Sequence, residues 1–297
     1  EVQGLEKGPF EPIGVIGVSA LMPDAPDIDS FWQNILDSKV SIRQIPEHRW
    51  IGPVDHFFRD GGPGNIEEGY TYARIGAVVE GYEFDWRRWK QPPGTLTQID
   101  LAQQWAVSVA AAAIEHAGYD GESKDIDRLR TGVAFANALG GENRNLSNIR
   151  IYSNHTKELA KSFGMPTANG DAFVDAINTG APRVNEDTMP GELANVVAGR
   201  VSNLLDLQGP NFAMDAACAS SLATLMDACR MLQMRQVDVM IAGATDRSMD
   251  APTFAKFSAI GALSPTHSTP FDAGANGFVM GEGCLLYTSD AADEEDS

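Results

Sequence analysis

Three short runs of mainly apolar residues constrain the fold of this chain more than any other feature of its sequence. They extend from Ile13 to Val18, from Thr131 to Ala136 and from Val237 to Ala242. Apolar residues at consecutive positions, many of them β-branched, are typical of short strands that are buried on both faces. Segments with helical patterns lie between these runs. The sequence therefore predicts an α/β fold in which a sheet is buried between layers of helices.

Several segments carry the apolar spacing of helices. The clearest extends from Leu101 to His116, and Gly118 is suited to end it. The other predicted helices lie near Phe31 to Leu36, with a cap at Asp29 or Ser30, at Pro190 to Leu204 and at Ala219 to Met234. In the last of these, the spacing predicts a buried face that holds Leu222, Leu225, Met226, Cys229 and Leu232.

Two long segments lack a sustained periodic pattern of apolar residues. Residues 41–95 are rich in proline, glycine and aromatic side chains, and we expect them to cross the surface rather than to form a separate domain. Residues 141–187 are polar, and a helix is predicted there only near Thr156 to Phe163. Residues 1–11 are polar, with two glycines and one proline, which is typical of a linker.

The composition argues against several classes of protein. The 297 residues carry a formal charge of −19, which argues against a nucleic-acid-binding face. The three cysteines form no CxxC pair, so neither a disulfide framework nor a structural zinc site is expected. The sequence contains no apolar run of about 18 residues and no signal-peptide pattern, so we predict a cytoplasmic protein without a membrane span.

The segment from Asp215 to Leu222 lies between a predicted strand and a predicted helix, and it carries Cys218. At the first turn of a helix, unpaired backbone N–H groups and the positive end of the helix dipole favour a thiolate. The neighbouring alanines and serines leave room for a substrate to reach the sulfur. From the residues alone, two interpretations stay equally open: Cys218 is a nucleophile for acyl transfer, or it is a small buried side chain. For Cys229, on the apolar face of the helix, we expect burial.

The same segment, Asp215-Ala-Ala-Cys-Ala-Ser-Ser-Leu222, resembles the active-site segment of β-ketoacyl synthases, the condensing domains of modular polyketide and fatty-acid synthases. The resemblance extends, in the correct order, over about residues 11–283. The other matching segments are Glu11 to Gly17, Asp100 to Gln104 with Ala102 where proline is usual, Pro190 to Arg200, Ala259 to Pro265 and Pro270 to Gly283. Ordered agreement of this extent makes Cys218 the expected nucleophile.

The resemblance implies a thiolase-like fold with α-β-α-β-α layers, of which this chain would hold the N-terminal half and the start of the second half. It implies a decarboxylative Claisen condensation between an acyl chain on Cys218 and a malonyl group carried on the phosphopantetheine of an acyl carrier protein. Ala217 and Phe257 match positions that border the acyl chain, and for Phe257 an ordinary core role is equally open. The resemblance also implies a homodimer that works with an acyltransferase and other synthase domains, without a metal or a directly bound cofactor.

The C-terminal end departs from the family pattern. Residues 12–283 are predicted to form the N-terminal portion of the synthase domain, and the linker at 1–11 precedes it. Residues 284–297 are predicted to be a non-native tail, because Leu285 to Glu294 resembles translated sequencing-adapter read-through. The native sequence is therefore expected to diverge between Cys284 and Tyr287.

Two histidine motifs that the family uses for catalysis, of the His-Gly-Thr and Asn-x-Gly-His types, do not occur in the 297 residues. Surface or helix-end positions are expected for the five histidines, which are His48, His56, His116, His155 and His267. The expectation is therefore a C-terminally truncated fragment that does not catalyse condensation by itself.

Two other functions stay open. A non-catalytic partner subunit that shapes chain length is one, although such partners typically replace the cysteine. A thiolase-like enzyme that takes its acyl donor from coenzyme A is the other, although segments 190–222 and 270–283 fit carrier-dependent synthases better. Nucleotide binding by the glycine-rich segment 274–283 is not expected, because it lacks the Lys-Ser/Thr pair of a P-loop.

Overall fold

The computed structural model describes residues 12–119 and 126–291 of the chain. The predicted linker at 1–11 therefore lies outside the described residues, as do residues 292–297 of the predicted tail. Within the described residues, no helix is long and apolar enough to cross a lipid bilayer.

A mixed sheet with the strand order β1-β7-β6-β4-β5 forms the centre of the described structure, and β2 and β3 form a separate small ladder. The strands are β1 (Ile13–Leu21), β2 (Arg43–Gln44), β3 (Ile75–Gly76), β4 (Thr131–Ala136), β5 (Asn211–Met214), β6 (Val239–Asp246) and β7 (Gly283–Ala291). Strand β4 runs parallel to β5 and β6, with Ala134 opposite both Phe212 and Ala242. Strand β7 runs antiparallel to its neighbours β1 and β6.

The helices surround this sheet. They are α1 (Ile28–Leu36), α2 (Pro93–Leu96), α3 (Leu101–His116), α4 (Asn143–Ser162), α5 (Thr167–Ile177), α6 (Thr188–Glu192), α7 (Val196–Leu204), α8 (Ser220–Gln233) and α9 (Ala251–Ala259). The predicted bounds of α3 are confirmed. The predicted cap of α1 is wrong, because the Asp27 carboxylate accepts the Ser30 N–H at 2.7 Å and caps the helix two residues before Asp29.

The two faces of the sheet pack against different helices. Val133 and Ile241 belong to a core shared with α3 and α7, whereas their neighbours in sequence, Ala134 and Met240, face α8. Because side chains alternate along a strand, both faces of β4 and β6 are covered. Each large side chain buried there contributes about 1.5–3 kcal/mol to stability. The predicted sheet between helical layers is confirmed.

The buried face of α8 differs from the prediction. The helix rests on the sheet through Ser220, Thr224, Ala228 and Leu232, all buried and spaced by four residues. Leu222 is 73% exposed and Met226 is 48% exposed, and Cys229 is half-buried. Small side chains let the first three turns of the helix come close to the strands, and Leu232 fills the contact at its carboxyl end.

Residues 41–95 contain little regular structure, yet the prediction that they only cross the surface is wrong. Trp50, Tyr72 and Val78 are buried in a second core that α9 completes. The Trp50 indole donates a hydrogen bond to the carbonyl oxygen of Met249 at 2.7 Å, and the Tyr72 hydroxyl donates to that of Leu263 at 3.0 Å. These bonds attach the segment to the chain that follows β6.

Residues 141–187 hold more helix than the sequence indicates. Of the residues in α4, only Ser147 and Ser153 are buried, so this 20-residue helix has no apolar stripe to reveal it. The predicted continuous helix from Pro190 to Leu204 is broken between α6 and α7. The Gln103 side-chain amide donates to the carbonyl oxygens of Pro190, Gly191 and Leu193 at 3.1–3.2 Å. Those carbonyl groups are satisfied by Gln103 at the break between the helices.

Strand β7 includes residues of the predicted non-native tail. Tyr287 is paired with Val18 of β1 and with Ala242 of β6. Cys284 and Leu286 are buried against the α3 face of the sheet. The predicted domain boundary at residue 283 therefore falls at the start of a strand inside the sheet, and the origin of residues 284–297 stays a prediction.

Candidate active site

Cys218 lies on a single 3-10 turn, Ala217–Ala219, which joins the end of β5 to the start of α8. Its side chain is exposed. The residues on either side are alanines, so no bulky neighbour in sequence covers the sulfur. The predicted position of Cys218 at a strand-to-helix turn is confirmed.

The turn contains a strained backbone. Ala217 has φ +49°, in the left-handed region, where a residue with a side chain loses about 1–2 kcal/mol. The Asp215 carboxylate accepts the Ala217 N–H at 2.8 Å. The Ser220 hydroxyl accepts the Ala216 N–H at 2.8 Å and donates to the Ala217 carbonyl oxygen at 2.6 Å. These bonds hold the strained conformation that presents Cys218.

An open cleft of about 450 Å³ lies beside Cys218. On the cysteine side it is lined by Ala217, Cys218, Ser220 and Ser221. A second side, which we name the strand-end wall, consists of Ala136, Asn137, Ala138, Ala244, Thr245, Asp246, Gly281, Glu282 and Gly283. The wall follows the carboxyl ends of the parallel strands β4 and β6, the edge of a sheet where α/β proteins commonly bind ligands.

The three cysteines have different environments. Cys218 is exposed, Cys229 is half-buried on α8, and Cys284 is buried. Burial raises the pKa of the Cys284 thiol to about 12. At neutral pH Cys284 is therefore a neutral thiol, and Cys218 is the cysteine that a reagent in the cleft can reach.

The two predicted substrate residues are placed differently. Ala217 lines the cleft directly beside Cys218. Phe257 lies in α9 and packs against the second core, with its ring 5.3 Å from that of Phe278 in an edge-to-face arrangement. Phe257 does not line the cleft in the described structure. The structure thus brings Ala217 and Cys218 together and leaves Phe257 apart, and the acyl-binding role of both residues stays a prediction.

A group of four largely buried charged side chains lies at the strand-end wall, with which it shares Glu282. We name it the charge cluster, and its members are Arg49, Glu142, Arg247 and Glu282. Burial raises the pKa of Glu142 to about 7, although the guanidinium groups of Arg247 and Arg49 oppose this shift. Burial also raises the pKa of Glu282. Sequence analysis did not single out these residues, because only Glu282 lies in a segment with a recognisable pattern.

All five histidines are exposed, as predicted, and within the described residues none lines the cleft. His116 ends α3, where its Nδ1 accepts the Val18 N–H at 3.3 Å. The hydroxyl of Thr266 shares a hydrogen bond of 2.7 Å with Nδ1 of His267. The described cleft thus presents a cysteine without an adjacent imidazole.

The family model "Beta-ketoacyl synthase, N-terminal domain" matches residues 10–289 of the chain. The chain belongs to the β-ketoacyl synthase family. Among curated relatives of this chain, a phenolphthiocerol/phthiocerol polyketide synthase protein of Mycobacterium tuberculosis is 31% identical over 293 residues. That match covers 96% of this chain and 14% of the relative. A polyunsaturated fatty acid synthase protein of Thraustochytrium sp. is 27% identical over 277 residues, which cover 92% of this chain and 10% of that protein.

Solved structures share the fold of this chain. The oxazolomycin ketosynthase domain of Streptomyces albus has a TM-score of 0.73 at 23% identity, covering 95% of this chain and 42% of that one. The PfaC keto synthase–chain length factor protein has a TM-score of 0.78 at 23% identity, covering 95% of this chain and 29% of that one. The predicted thiolase-like α/β fold is confirmed. The chain therefore spans less than half the length of each relative and each solved structure named here.

Proposed function

We propose that this ketosynthase catalyses a decarboxylative Claisen condensation in which Cys218 is the nucleophile. The observation that carries the proposal is the exposed Cys218 on a strained turn, at the edge of the sheet where β4, β5 and β6 end. The 14-residue helix α8 begins two residues later, and its amino end contributes a positive potential near the sulfur. Small neighbours give an acyl thioester access to it.

In the first half-reaction, the Cys218 sulfur attacks the carbonyl carbon of an acyl group carried on phosphopantetheine. A C–S bond to Cys218 forms, the C–S bond to the carrier breaks, and the carrier thiol leaves with a proton. Negative charge develops on the carbonyl oxygen in this step, and backbone N–H groups at the turn are suited to donate hydrogen bonds to that oxygen.

In the second half-reaction, malonyl on the carrier loses CO₂ and the electron pair of the broken C–C bond passes to the α-carbon. That carbon attacks the thioester on Cys218, a C–C bond forms, and the C–S bond to Cys218 breaks. The products are a β-ketoacyl carrier, CO₂ and the regenerated cysteine. Groups outside the cleft described here would have to stabilise the enolate formed after decarboxylation.

The partners proposed for this reaction follow from its substrates and from the relatives. Phosphopantetheine comes with an acyl carrier protein or domain as part of the substrate, so the ketosynthase needs no cofactor of its own. An acyltransferase and further synthase domains would supply and process the acyl chains, as expected for a relative of polyketide synthases. We also propose a homodimer that works in the cytoplasm.

The test is acyl transfer to Cys218 in the full-length protein. A radiolabelled acyl-carrier protein is supplied, and labelled protein is mapped by mass spectrometry. We expect the label on Cys218, loss of the label in Cys218→Ala, and full labelling in the matched control Cys229→Ala. Absence of label on Cys218 would favour a non-catalytic partner subunit, and labelling by acyl-coenzyme A alone would favour a thiolase-like enzyme.

A further inference from the structure

The strand-end wall is built from three segments that are distant in the sequence, and a member of the charge cluster lies within each of them or a few residues away along the chain. Glu142 lies at the start of α4, four residues after Ala138. Arg247 directly follows Asp246, and Glu282 is itself part of the wall. Arg49 comes from the 3-10 turn Glu47–Arg49 in the second core region. Each segment of the wall is therefore attached to the same buried group of charges.

The ion pairs of the charge cluster are short and enclosed. Arg247 Nη1 lies 2.7 Å from Glu142 Oε2, and Arg49 Nη2 lies 3.3 Å from Glu142 Oε1. The same Arg49 nitrogen is 2.7 Å from Glu282 Oε2. Glu282 Oε1 accepts the Val79 N–H at 2.8 Å, and Glu142 Oε1 accepts the Met249 N–H at 3.1 Å. With so little solvent, each carboxylate depends on these partners, and loss of one partner leaves a buried charge unpaired.

Direct hydrogen bonds also join the segments of the wall to each other. The Asn137 side-chain amide donates to the Thr245 carbonyl oxygen at 2.9 Å, which connects the ends of β4 and β6. The Asn137 side-chain oxygen accepts the Gly140 N–H at 2.7 Å and bends the chain towards Glu142. Buried Asp100 accepts the Asn143 N–H at 2.8 Å. The segments of the wall are therefore hydrogen-bonded to one another and to the start of α4, where Glu142 lies.

We propose that Glu142 and Arg247 are positioning residues for acyl transfer to Cys218, because their ion pair fixes the strand-end wall against which the thioester donor must lie. This inference rests on the proposed function. Neither residue lines the cleft, so neither is expected to touch the substrate. A thioester must be oriented to within a fraction of an ångström for attack, whereas a small alkylating reagent needs only an exposed sulfur.

The ionisation of Glu142 gives the proposal a second readout. The charged groups that face Glu142 from neighbouring elements are Arg49, Arg247, Asp100, Asp250 and Glu282. Burial is the largest cause of its raised pKa, about 7, so Glu142 changes charge near neutrality. Above this pH the carboxylate pairs with Arg247, and below it the protonated acid does not. The positioning of the thioester donor by the strand-end wall should therefore weaken as the pH falls through about 7.

The experiment compares two reactions of Cys218 in the full-length protein. One is acylation by an octanoyl N-acetylcysteamine thioester, and the other is alkylation by iodoacetamide, both followed by intact mass. Because both reactions use the same thiolate, the ratio of their rates reports donor placement and not thiol ionisation. The variants are Glu142→Gln and the double variant Glu142→Gln/Arg247→Met. The control is Asp238→Asn, which removes the exposed ion pair with Arg130 near the start of β6.

We expect the ratio to fall about tenfold in Glu142→Gln and to be unchanged in Asp238→Asn. In the double variant no charge of this pair is left unpaired, so Tm should return towards the wild-type value while the ratio stays low. In the wild type, the ratio should fall between pH 8 and pH 6. If Glu142→Gln does not fold, the double variant and this pH profile still decide the outcome.

Three results would overturn the proposal. They are an unchanged ratio in Glu142→Gln, recovery of the ratio together with Tm in the double variant, and a wild-type ratio that is constant from pH 6 to pH 8. The second would mean that the ion pair only stabilises the fold. A wild-type Cys218 that is alkylated but never acylated would instead refute the proposed function, and this inference with it.

Discussion

The carboxylate of Asp215 accepts the backbone N–H of Ala217 at 2.8 Å and holds that alanine at φ +49°, one residue before the exposed Cys218. An aspartate two residues before a left-handed position is a common way to stabilise a tight turn. Here the hydrogen bond offsets part of the free-energy cost of the left-handed conformation at Ala217. That conformation places Cys218 at the cleft. The geometry of Cys218 therefore depends on a side chain that does not itself line the cleft.

Replacing Asp215 tests this dependence. We expect Asp215→Ala to lower the free energy of unfolding by about 0.5–1.5 kcal/mol, because the hydrogen bond that holds the Ala217 turn is lost. Acylation of Cys218 should slow as the turn relaxes. Urea denaturation and the acylation assay measure the two effects. Asp215→Asn keeps the acceptor oxygen and should restore both, so equal effects of the two substitutions would contradict the assigned role.

Enlarging Ala217 tests its predicted contact with the acyl chain. Ala217→Leu should shorten the longest acyl primer accepted by the full-length enzyme, because the new side chain extends into the cleft beside Cys218. A series of acyl-carrier donors of increasing length gives the measurement. Ala219→Leu is the matched control, since Ala219 lies on the same 3-10 turn but does not line the cleft. An unchanged primer profile in Ala217→Leu would remove Ala217 from the acyl site.

The environments of the cysteines predict an order of reactivity. Brief treatment with iodoacetamide at pH 7.5 should label Cys218 first, Cys229 more slowly and Cys284 last. Cys284 is 1% exposed, and its pKa of about 12 leaves almost no thiolate at this pH. Peptide mapping by mass spectrometry measures the order. Labelling of Cys284 at the rate of Cys218 would mean that β7 is not held in the sheet.

The raised pKa of Glu142 predicts how stability depends on pH. Between its ordinary value of 4.5 and about 7, the folded protein keeps a proton that the unfolded chain has lost. The contribution of Glu142 to stability is therefore largest below about pH 4.5 and decreases by about 3 kcal/mol as the pH rises from about 4.5 to about 7. Urea denaturation at several pH values, compared with Glu142→Gln, isolates this contribution. A difference between the two proteins that is independent of pH would contradict it.

Residues 1–297 expressed alone should not condense acyl and malonyl groups. The sequence lacks both histidine motifs, and the five histidines are exposed outside the cleft. Loss of a single oxyanion donor typically slows such reactions by about 10²–10³, and the family resemblance implies two imidazoles that these 297 residues do not supply to the cleft. The assay measures released CO₂ and β-ketoacyl product with acyl- and malonyl-carrier protein. Turnover that Cys218→Ala abolishes would show that one of the five histidines takes part.

Much of the sheet and its main helix could be predicted, because their signals are local. The apolar runs of β1, β4 and β6 and the bounds of α3 follow from neighbouring residues. Helix α4 could not be found in this way, since a helix with few buried residues has no apolar period. The predicted buried face of α8 is wrong, because the spacing of apolar residues identifies a stripe on a helix but does not show whether another element packs against that stripe. Leu222 and Met226 form such a stripe and stay exposed.

The candidate site was predicted only in part. Cys218 lies in a contiguous segment that resembles a family motif, so a single sequence reveals it. The charge cluster joins Arg49, Glu142, Arg247 and Glu282, which are spread over most of the chain. No periodicity relates such residues, and their pairing exists only after the second core and the sheet have formed. Long-range electrostatic sites of this kind need the tertiary structure to be recognised.

The position of β7 between β1 and β6 affects the order in which the protein can fold during translation. Strand β1 begins at Ile13 and its partner β7 begins only at Gly283, so β1 leaves the ribosome long before its partner is made. At about 5–20 residues per second, the apolar β1 segment waits for on the order of tens of seconds without its neighbour. During that interval its unpaired backbone is open to other strands, including those of nascent chains nearby. Nascent chains of this protein are therefore expected to depend on chaperones that shield β1 until β7 has emerged.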